Sequence, residues 1–415
     1  MIDSFTWVVA YRYFRAKKKE KLVSFIAGFS LLGVMIGVAA LIVVMSVMNG
    51  FHYELTKNIV GLNGDINIIP NGRTIDNYEI IKSKIIKLDF VEQIIPNING
   101  QAFALGFNTN SGVLIKGIDI SNLKLKKEIM QNVKAGNFAH FTGKEAIALG
   151  SELALNLGVV VGSKLKLISP NMISTTFGSL PRSKEFRVVA IFASGMYDYD
   201  AATILMPEEA ARNFLSFSSK DINLIEIITN DSINAETSAK KIRKVLDFDV
   251  RVTSWMQSNG QFLSALAVER VAMFTILSLI ILVAAFNIIS SLFMLVKDKT
   301  RDIAILRTMG ASRGQIMIIF VLNGMFVGLI GTIMGIITGI SFAFNIEAIR
   351  KFLEQITDTR IFEAAIYFLY TLPSRVDFQD VLLVGSISCI LCFLATLYPA
   401  YKAANMSPVE ALRYE

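Results

Sequence analysis

Hydrophobic and polar positions alternate along this chain on two different scales. Four long apolar runs come first to notice: Leu22–Met48, Val271–Val296, Ile316–Ile346 and Val381–Tyr401. A helix needs about 20 mostly apolar residues to cross a bilayer, and each run supplies that length. They predict transmembrane helices at 22–48, 267–296, 316–346 and 381–401. Residues 49–266 read differently, with charges throughout and no spanning run. Strand-like pieces (Asp65–Ile69, Val113–Ile118, Lys164–Ile168, Phe186–Phe192, Leu224–Thr229) alternate with helical ones (Tyr78–Lys87, Lys144–Leu157, Pro207–Leu215, Ala235–Val245). Within Gly150–Ser163 a short helix stops at Gly158 and turns into a strand. The predicted fold class is therefore membrane α-helical, with four transmembrane helices and a large α+β extracytoplasmic domain between the first and second. That domain is expected to hold two subdomains, the middle part inserted into the first.

The remaining segments are short. Residues 1–21 are aromatic and basic, an amphipathic segment on the cytoplasmic face. The run after it is far longer than the roughly 7–15 residues of a signal-peptide core, so it reads as an uncleaved anchor. Residues 347–380 form a short outside loop. Residues 402–415 form a cytoplasmic tail, in which Pro408 opens a last helical turn or two through Leu412. Both termini lie inside, and Lys and Arg are denser in the inside segments, as the positive-inside rule expects.

Residues 297–315 form an elbow between the second and third helices. Ile303, Ile305, Leu306 and Met309 recur at helical spacing, with Ile303, Leu306 and Met309 on one narrow face. Asp302 sits near the start, Arg307 near the end, and Gly310 closes the helix. Two readings stand: an interfacial helix resting on lipid headgroups, or a docking helix that receives force from a cytoplasmic partner. In the third helix Gly324, Gly328, Gly331, Gly335 and Gly339 recur mostly every four residues. They favour close helix packing over a substrate groove. Gly33 and Gly37 make a similar pair in the first helix.

Composition sharpens this picture. Apolar residues make up 53% of the chain, too many for an ordinary soluble protein. The net charge of +7 does not imply nucleic acid, because the densest basic cluster, Arg12 to Lys21, precedes a membrane run. The two cysteines, Cys389 and Cys392, lie in an apolar helix without a nearby His or carboxylate, and read as packing residues. His52 and His140 make no metal spacing. No phosphate-binding loop, zinc-hydrolase helix or nucleophile elbow occurs. The spans are almost free of ionisable groups, which argues against an ion relay and for an apolar or amphipathic cargo.

One stretch of the large domain invites a partner. Ser169–Ser183 (S-P-N-M-I-S-T-T-F-G-S-L-P-R-S) lies between two strand-like pieces and is bracketed by Pro170 and Pro181. It is expected to be a long hairpin loop. Met172, Ile173, Phe177 and Leu180 make it sticky, and Arg182, Lys184 and Arg187 favour an acidic partner. It is either a disordered tip or a protein-binding hook.

Several stretches together resemble a known family. Met45–Phe51 (M-S-V-M-N-G-F), Arg301–Ala311 (R-D-I-A-I-L-R-T-M-G-A), Leu372–Val376 (L-P-S-R-V) and Leu397–Glu415 are similar to the transmembrane subunits of bacterial lipoprotein-releasing ABC transporters, the LolC/LolE family within the MacB-type permeases. The resemblance implies an inner-membrane permease that is not itself an enzyme and holds no cofactor. ATP and Mg would be bound by a separate LolD-like ATPase. A second permease subunit, LolE-like or another copy, would complete the dimer. Triacylated lipoprotein would be the substrate and a LolA-like periplasmic carrier the recipient. Thr300, Arg301, Asp302, Ile303, Leu306, Arg307, Met309 and Gly310 would then form the ATPase-coupling helix. Pro170, Met172, Ile173, Phe177, Leu180 and Pro181 would form a LolC-like carrier hook, with Arg182 and Lys184 as its basic pad. Val44, Val47, Met48 and Phe51 on the first helix, with Phe262, Leu266 and Met273 on the second, would line the acyl-chain cleft. A MacB-like efflux permease and an FtsX-like signalling permease remain the alternatives.

Overall fold

The computed structural model describes residue 9 and residues 21–75, 78–175, 178–218, 221–246, 250–359, 361–363 and 369–406. The expected amphipathic start before residue 21, Phe177 and the helical turn after Pro408 lie outside the described residues. The chain divides into a helical unit (Met1–His52, Ala267–Asp358, Leu372–Glu415) and a mixed unit (Tyr53–Leu266, Thr359–Thr371).

The helical unit draws on four helices long and apolar enough to cross a membrane, contained in Lys21–Asn63, Gly260–Asp298, Arg313–Phe344 and Phe378–Ala404. The glycines of the third do what close packing requires. A Cβ on Gly324 would meet Thr396 at 2.1 Å, and one on Gly328 would meet Cys392 at 2.6 Å, both on the fourth helix. A Cβ on Gly335 would stand 2.7 Å from Val38, and one on Gly339 3.0 Å from Ala39, both on the first. The row is a packing face turned to two neighbours, and Cys392 is buried within it. Gly33 likewise lies against Asn287 of the second long helix, whose carbonyl accepts from the Ser30 hydroxyl at 3.3 Å. The expected outside loop begins as a helix, Ile346–Thr357, where Arg350 pairs with Glu347 at 2.6 Å and Glu354 at 2.8 Å.

The mixed unit is built on a ten-stranded sheet ordered β10-β1-β9-β2-β3-β8-β5-β7-β4, with β6 paired to β2 and β7. The strands are β1 Ile66–Pro70, β2 Val91–Leu105, β3 Asn110–Ile118, β4 Val133–Gly136, β5 Ala146–Gly150, β6 Lys164–Thr175, β7 Gly178–Phe192, β8 Thr203–Pro207, β9 Leu224–Thr229 and β10 Val250–Ser254. β2 pairs through Val91–Asn97 with β9 and through Ile98–Leu105 with β3. It thereby joins strands from the two ends of the unit's sequence to strands from its middle. Helices Glu208–Leu215 and Ala235–Val245 bury one face each, and Phe214 meets Phe186 of β7 edge-on at 5.3 Å.

One predicted helix of this unit is partly strand. Lys144–Leu157 is not a continuous helix: Ala146–Gly150 is a fully buried strand, and the helix starts only at Ser151. A strand buried on both faces loses its period of two, so its apolar run cannot be told from helix by spacing. Gly158, at φ +71°, ends the helix as expected.

Two buried features tie this unit together. The last turn of the Lys21–Asn63 helix leaves the Leu62 carbonyl without a helical partner. Lys116 Nζ and Lys126 Nζ donate to it at 2.9 and 2.8 Å, and both contact the Glu226 carboxylate at 2.5 and 2.7 Å. All three side chains are buried. Burial alone would raise the Glu226 carboxyl, but the two ammonium groups overcome it and hold it below the usual carboxylate range. The second feature is Asp200, which accepts from the Ser194 N–H at 2.8 Å and from the Tyr370 hydroxyl at 3.0 Å. With the Met196–Leu369 bridge, it brings 359–371 into the mixed unit.

Candidate functional site

The elbow residues fold as a helix, Thr300–Thr308, whose N-cap is Lys299 and whose C-cap is Met309. Thr300 turns its hydroxyl back to the Lys297 carbonyl at 2.7 Å, and Lys299 pairs with Asp302 at 3.4 Å. Ile303 and Ala304 are buried; Ile303 and the half-buried Leu306 pack in a cluster with Val296, Ile316, Phe320 and Ala400. Arg307 donates to the Ala311 carbonyl at 3.0 Å, and Gly310 takes φ +103°, a backbone region that favours glycine. Met309 does not share the face of Ile303 and Leu306. The helix stops before it, and the turn leaves it 79% exposed. The outward surface is instead Arg301, Ile305, Thr308 and Met309. The inner face is fixed in the helical unit, and the outer face carries Ile305 and Met309.

Two of the resembling stretches are structural partners, which the sequence did not reveal. In the first, Ser46 is buried and its carbonyl accepts from the Arg375 N–H at 2.8 Å. Asn49 Nδ2 donates to Asp380 at 2.5 Å. A Cβ on Gly50 would lie 2.7 Å from the backbone of Pro373 and Ser374. The stretch Met45–Phe51 thus receives Leu372–Val376 against its glycine.

The expected loop at 169–183 is shorter than predicted, because the strands run on through it. After a register shift between Ile168 and Met172, β6 and β7 continue to pair: Met172 with Pro181, Ile173 with Leu180, Ser174 with Ser179 and Thr175 with Gly178. The prolines are tolerated at or near that irregularity. Pro170 and Pro181 are exposed, as is Leu180 at 56%. The adjoining cations are engaged with their own unit: Arg182 donates to the Ser216 hydroxyl at 2.9 Å, and Lys184 to the Lys144 carbonyl at 2.8 Å. Lys184 also covers the Phe186 ring at 5.2 Å.

The residues expected to line an acyl cleft are distributed over both units. Val44, Val47, Met48, Phe51 and Met273 are half-buried in the helical unit, and Val44 packs on its core. Phe262 and Leu266 belong to the mixed unit, where Phe262 packs against the sheet's core and Leu266 is buried. Among the described residues no cluster of His, Cys, Asp or Glu could hold a metal ion.

Residues 27–245 match the MacB-like periplasmic core domain, and residues 274–408 the FtsX-like permease C-terminal family. The chain is 36% identical to the lipoprotein-releasing system transmembrane protein LolC of Neisseria meningitidis serogroup B, over 98% of each chain. It is 31% identical to LolC of Xylella fastidiosa over the full length of both, and 30% identical to LolE of Haemophilus influenzae over 97% of this chain and 98% of that one. The crystal structure of the periplasmic region of MacB from Actinobacillus actinomycetemcomitans covers 50% of this chain and 97% of its own, at 13% identity and a TM-score of 0.33. At this identity over nearly its whole length, the chain belongs to the LolC/LolE family of lipoprotein-releasing system permeases.

Proposed function

We propose that this chain is the permease subunit that draws triacylated lipoproteins from the outer leaflet of the bacterial inner membrane and passes them to a LolA-like periplasmic carrier. The observation that carries the reading is the full-length similarity to LolC proteins. In this arrangement the four apolar helices span the membrane, both termini are cytoplasmic, and the mixed unit stands in the periplasm. The helix Thr300–Thr308 is the surface on which a LolD-like ATPase, holding ATP and Mg, docks through Ile305 and Met309. A second permease, LolE-like or a second copy, completes the transporter. ATP closes the ATPase dimer and moves the elbow helices together, which closes the apolar cleft and pushes the acyl chains outward; hydrolysis then resets the cycle.

The β6–β7 hairpin is the hook that receives the carrier, through Pro170, Met172, Ile173, Phe177, Leu180 and Pro181. Because Arg182 and Lys184 are already spoken for by Ser216 and Lys144, we assign them to fixing the hairpin's base as well as to the basic pad. The deciding experiment is a photocrosslinker at Leu180 in cells, followed by identification of the captured protein. A periplasmic lipoprotein carrier is the expected catch. An outer-membrane channel would point to an efflux permease, and a cell-wall hydrolase to a signalling permease.

A further inference from the structure

The mixed unit contains a polar pocket of about 460 Å³, within the roughly 300–1,000 Å³ range of small-ligand sites. Its walls come from four stretches far apart in sequence: 54–58, 127–134, 193–195 and 369–371. Two of these walls are pinned by one group. The buried Asp200 carboxylate accepts the Ser194 N–H on one side and the Tyr370 hydroxyl on the other. Such a framework is preformed, so a ligand entering it need not order the walls.

Asn58 marks what the pocket can recognise. It is only 7% exposed, lines the pocket, and its carboxamide makes no hydrogen bond among the described residues. Its amide atoms are not sealed from the pocket, so water or a ligand there can pair with them. Gly195, at φ +91°, keeps the adjoining wall open: a Cβ there would stand 3.3 Å from the Asn58 amide nitrogen. A carboxamide offers both N–H donors and a carbonyl acceptor, the complement of a peptide group. The rim carries both signs of charge, Lys57, Lys127 and Lys134 against Glu54 and Glu128. A phosphate site would instead concentrate cations.

We propose that this pocket receives the first peptide groups that follow the acylated residue of the substrate, with Asn58 pairing to a backbone peptide. The proposal rests on the release function above. It is consistent with the chemistry of such a substrate, whose leading peptide groups directly adjoin its acyl chains.

The test uses the assembled transporter, permease pair plus ATPase, in nanodiscs. Two acyl-labelled probes are compared by fluorescence anisotropy: a triacylated cysteine followed by four residues, and the triacylated cysteine amide alone. Asn58→Leu removes the amide at similar size. Gln131→Trp fills the pocket from an exposed position and does not burden the core. The expected result is that both variants weaken the peptide-bearing probe about tenfold, the worth of roughly one hydrogen-bonded amide, and leave the bare probe unchanged. Equal weakening of both probes, as a lipid-headgroup site or a structural defect would give, overturns the assignment. So does an unchanged affinity for both. If the wild-type transporter retains neither probe, the release function itself fails, and the pocket assignment falls with it.

Discussion

Glu226 faces two buried lysines; they hold its carboxyl low, while burial beside Lys116 lowers the Lys126 ammonium in turn, and that crowding decides how its neighbours respond to change. Replacing Glu226 with Gln leaves Lys116 and Lys126 buried together with only the Leu62 carbonyl. Breaking a buried ionic network by removing one partner costs ~3–5 kcal/mol. Lys126→Met should cost less, because it leaves Lys116 and Glu226 as a balanced pair at 2.5 Å. The same residue sets an acid limit. A carboxyl held below its usual range contributes stability that is fully present above its unfolded value and lost as pH falls through the folded one. The mixed unit should therefore loosen on acidification below the ordinary value of 4.5, and Glu226→Gln should flatten that part of the profile. Trp255, buried in this unit, reports both effects by fluorescence in a Trp7→Phe background. Full acid sensitivity in Glu226→Gln would refute this account. At the hook, Phe177→Glu should abolish capture of the carrier while ATPase activity persists, and a pulldown that still retains the carrier would count against the hairpin's assigned role.

At the scale of elements, the glycine face and the elbow give opposite predictions for substitution. Gly335→Leu should drive the third long helix off Val38 and the Met35 carbonyl, 2.7 and 2.8 Å from its Cβ position, at ~1–3 kcal/mol. Gly28→Ala, with nothing within 4 Å, should be neutral or mildly stabilising. Thermal stability in detergent separates the two. On the elbow, Ile305→Asp and Met309→Asp change exposed positions, so the permease should fold and insert but fail to co-purify with its ATPase. Retained co-purification would show that the partner docks elsewhere. The legibility of these elements in the sequence follows from their surroundings. Long apolar runs and four-residue glycine spacing need no tertiary context, so the four helices and the packing face could be read directly. The period-three face of Ile303 and Leu306 was readable too, but Met309 was not, since its direction depends on where the helix stops at Gly310. β5 and β8 are buried at every position and carry no alternation to read. The meeting of Met45–Phe51 with Leu372–Val376 joins segments more than 300 residues apart, which no local pattern encodes. The polar pocket, assembled from four separate stretches, was invisible for the same reason.

For the whole molecule the governing quantity is the cost of exposing acyl chains to water. Each buried methylene is worth ~0.8 kcal/mol, so a chain of a dozen methylenes resists transfer by roughly 10 kcal/mol, and three such chains by roughly 30. No hydrolysis cycle pushes that cargo into free solution, so the permease must offer a continuous apolar surface up to a docked carrier. Met48 is half-buried near the end of the apolar stretch of the first long helix. In the proposed cleft a carboxylate at this position would meet the acyl chains, at a cost of up to ~2.5–3.5 kcal/mol, the value for an aspartate at the centre of a membrane helix. Met48→Asp should accordingly reduce carrier-dependent release from proteoliposomes by about a hundredfold, while the reconstituted ATPase keeps its basal rate. Met48→Leu, which preserves apolar volume, should release normally and thereby separate charge from size. A signalling permease has no acyl path at this position and predicts the opposite: unchanged output in both variants. Release by Met48→Asp at the wild-type rate would place the acyl chains on another surface of the protein, and release that proceeds without any carrier would remove the physical need for the hook.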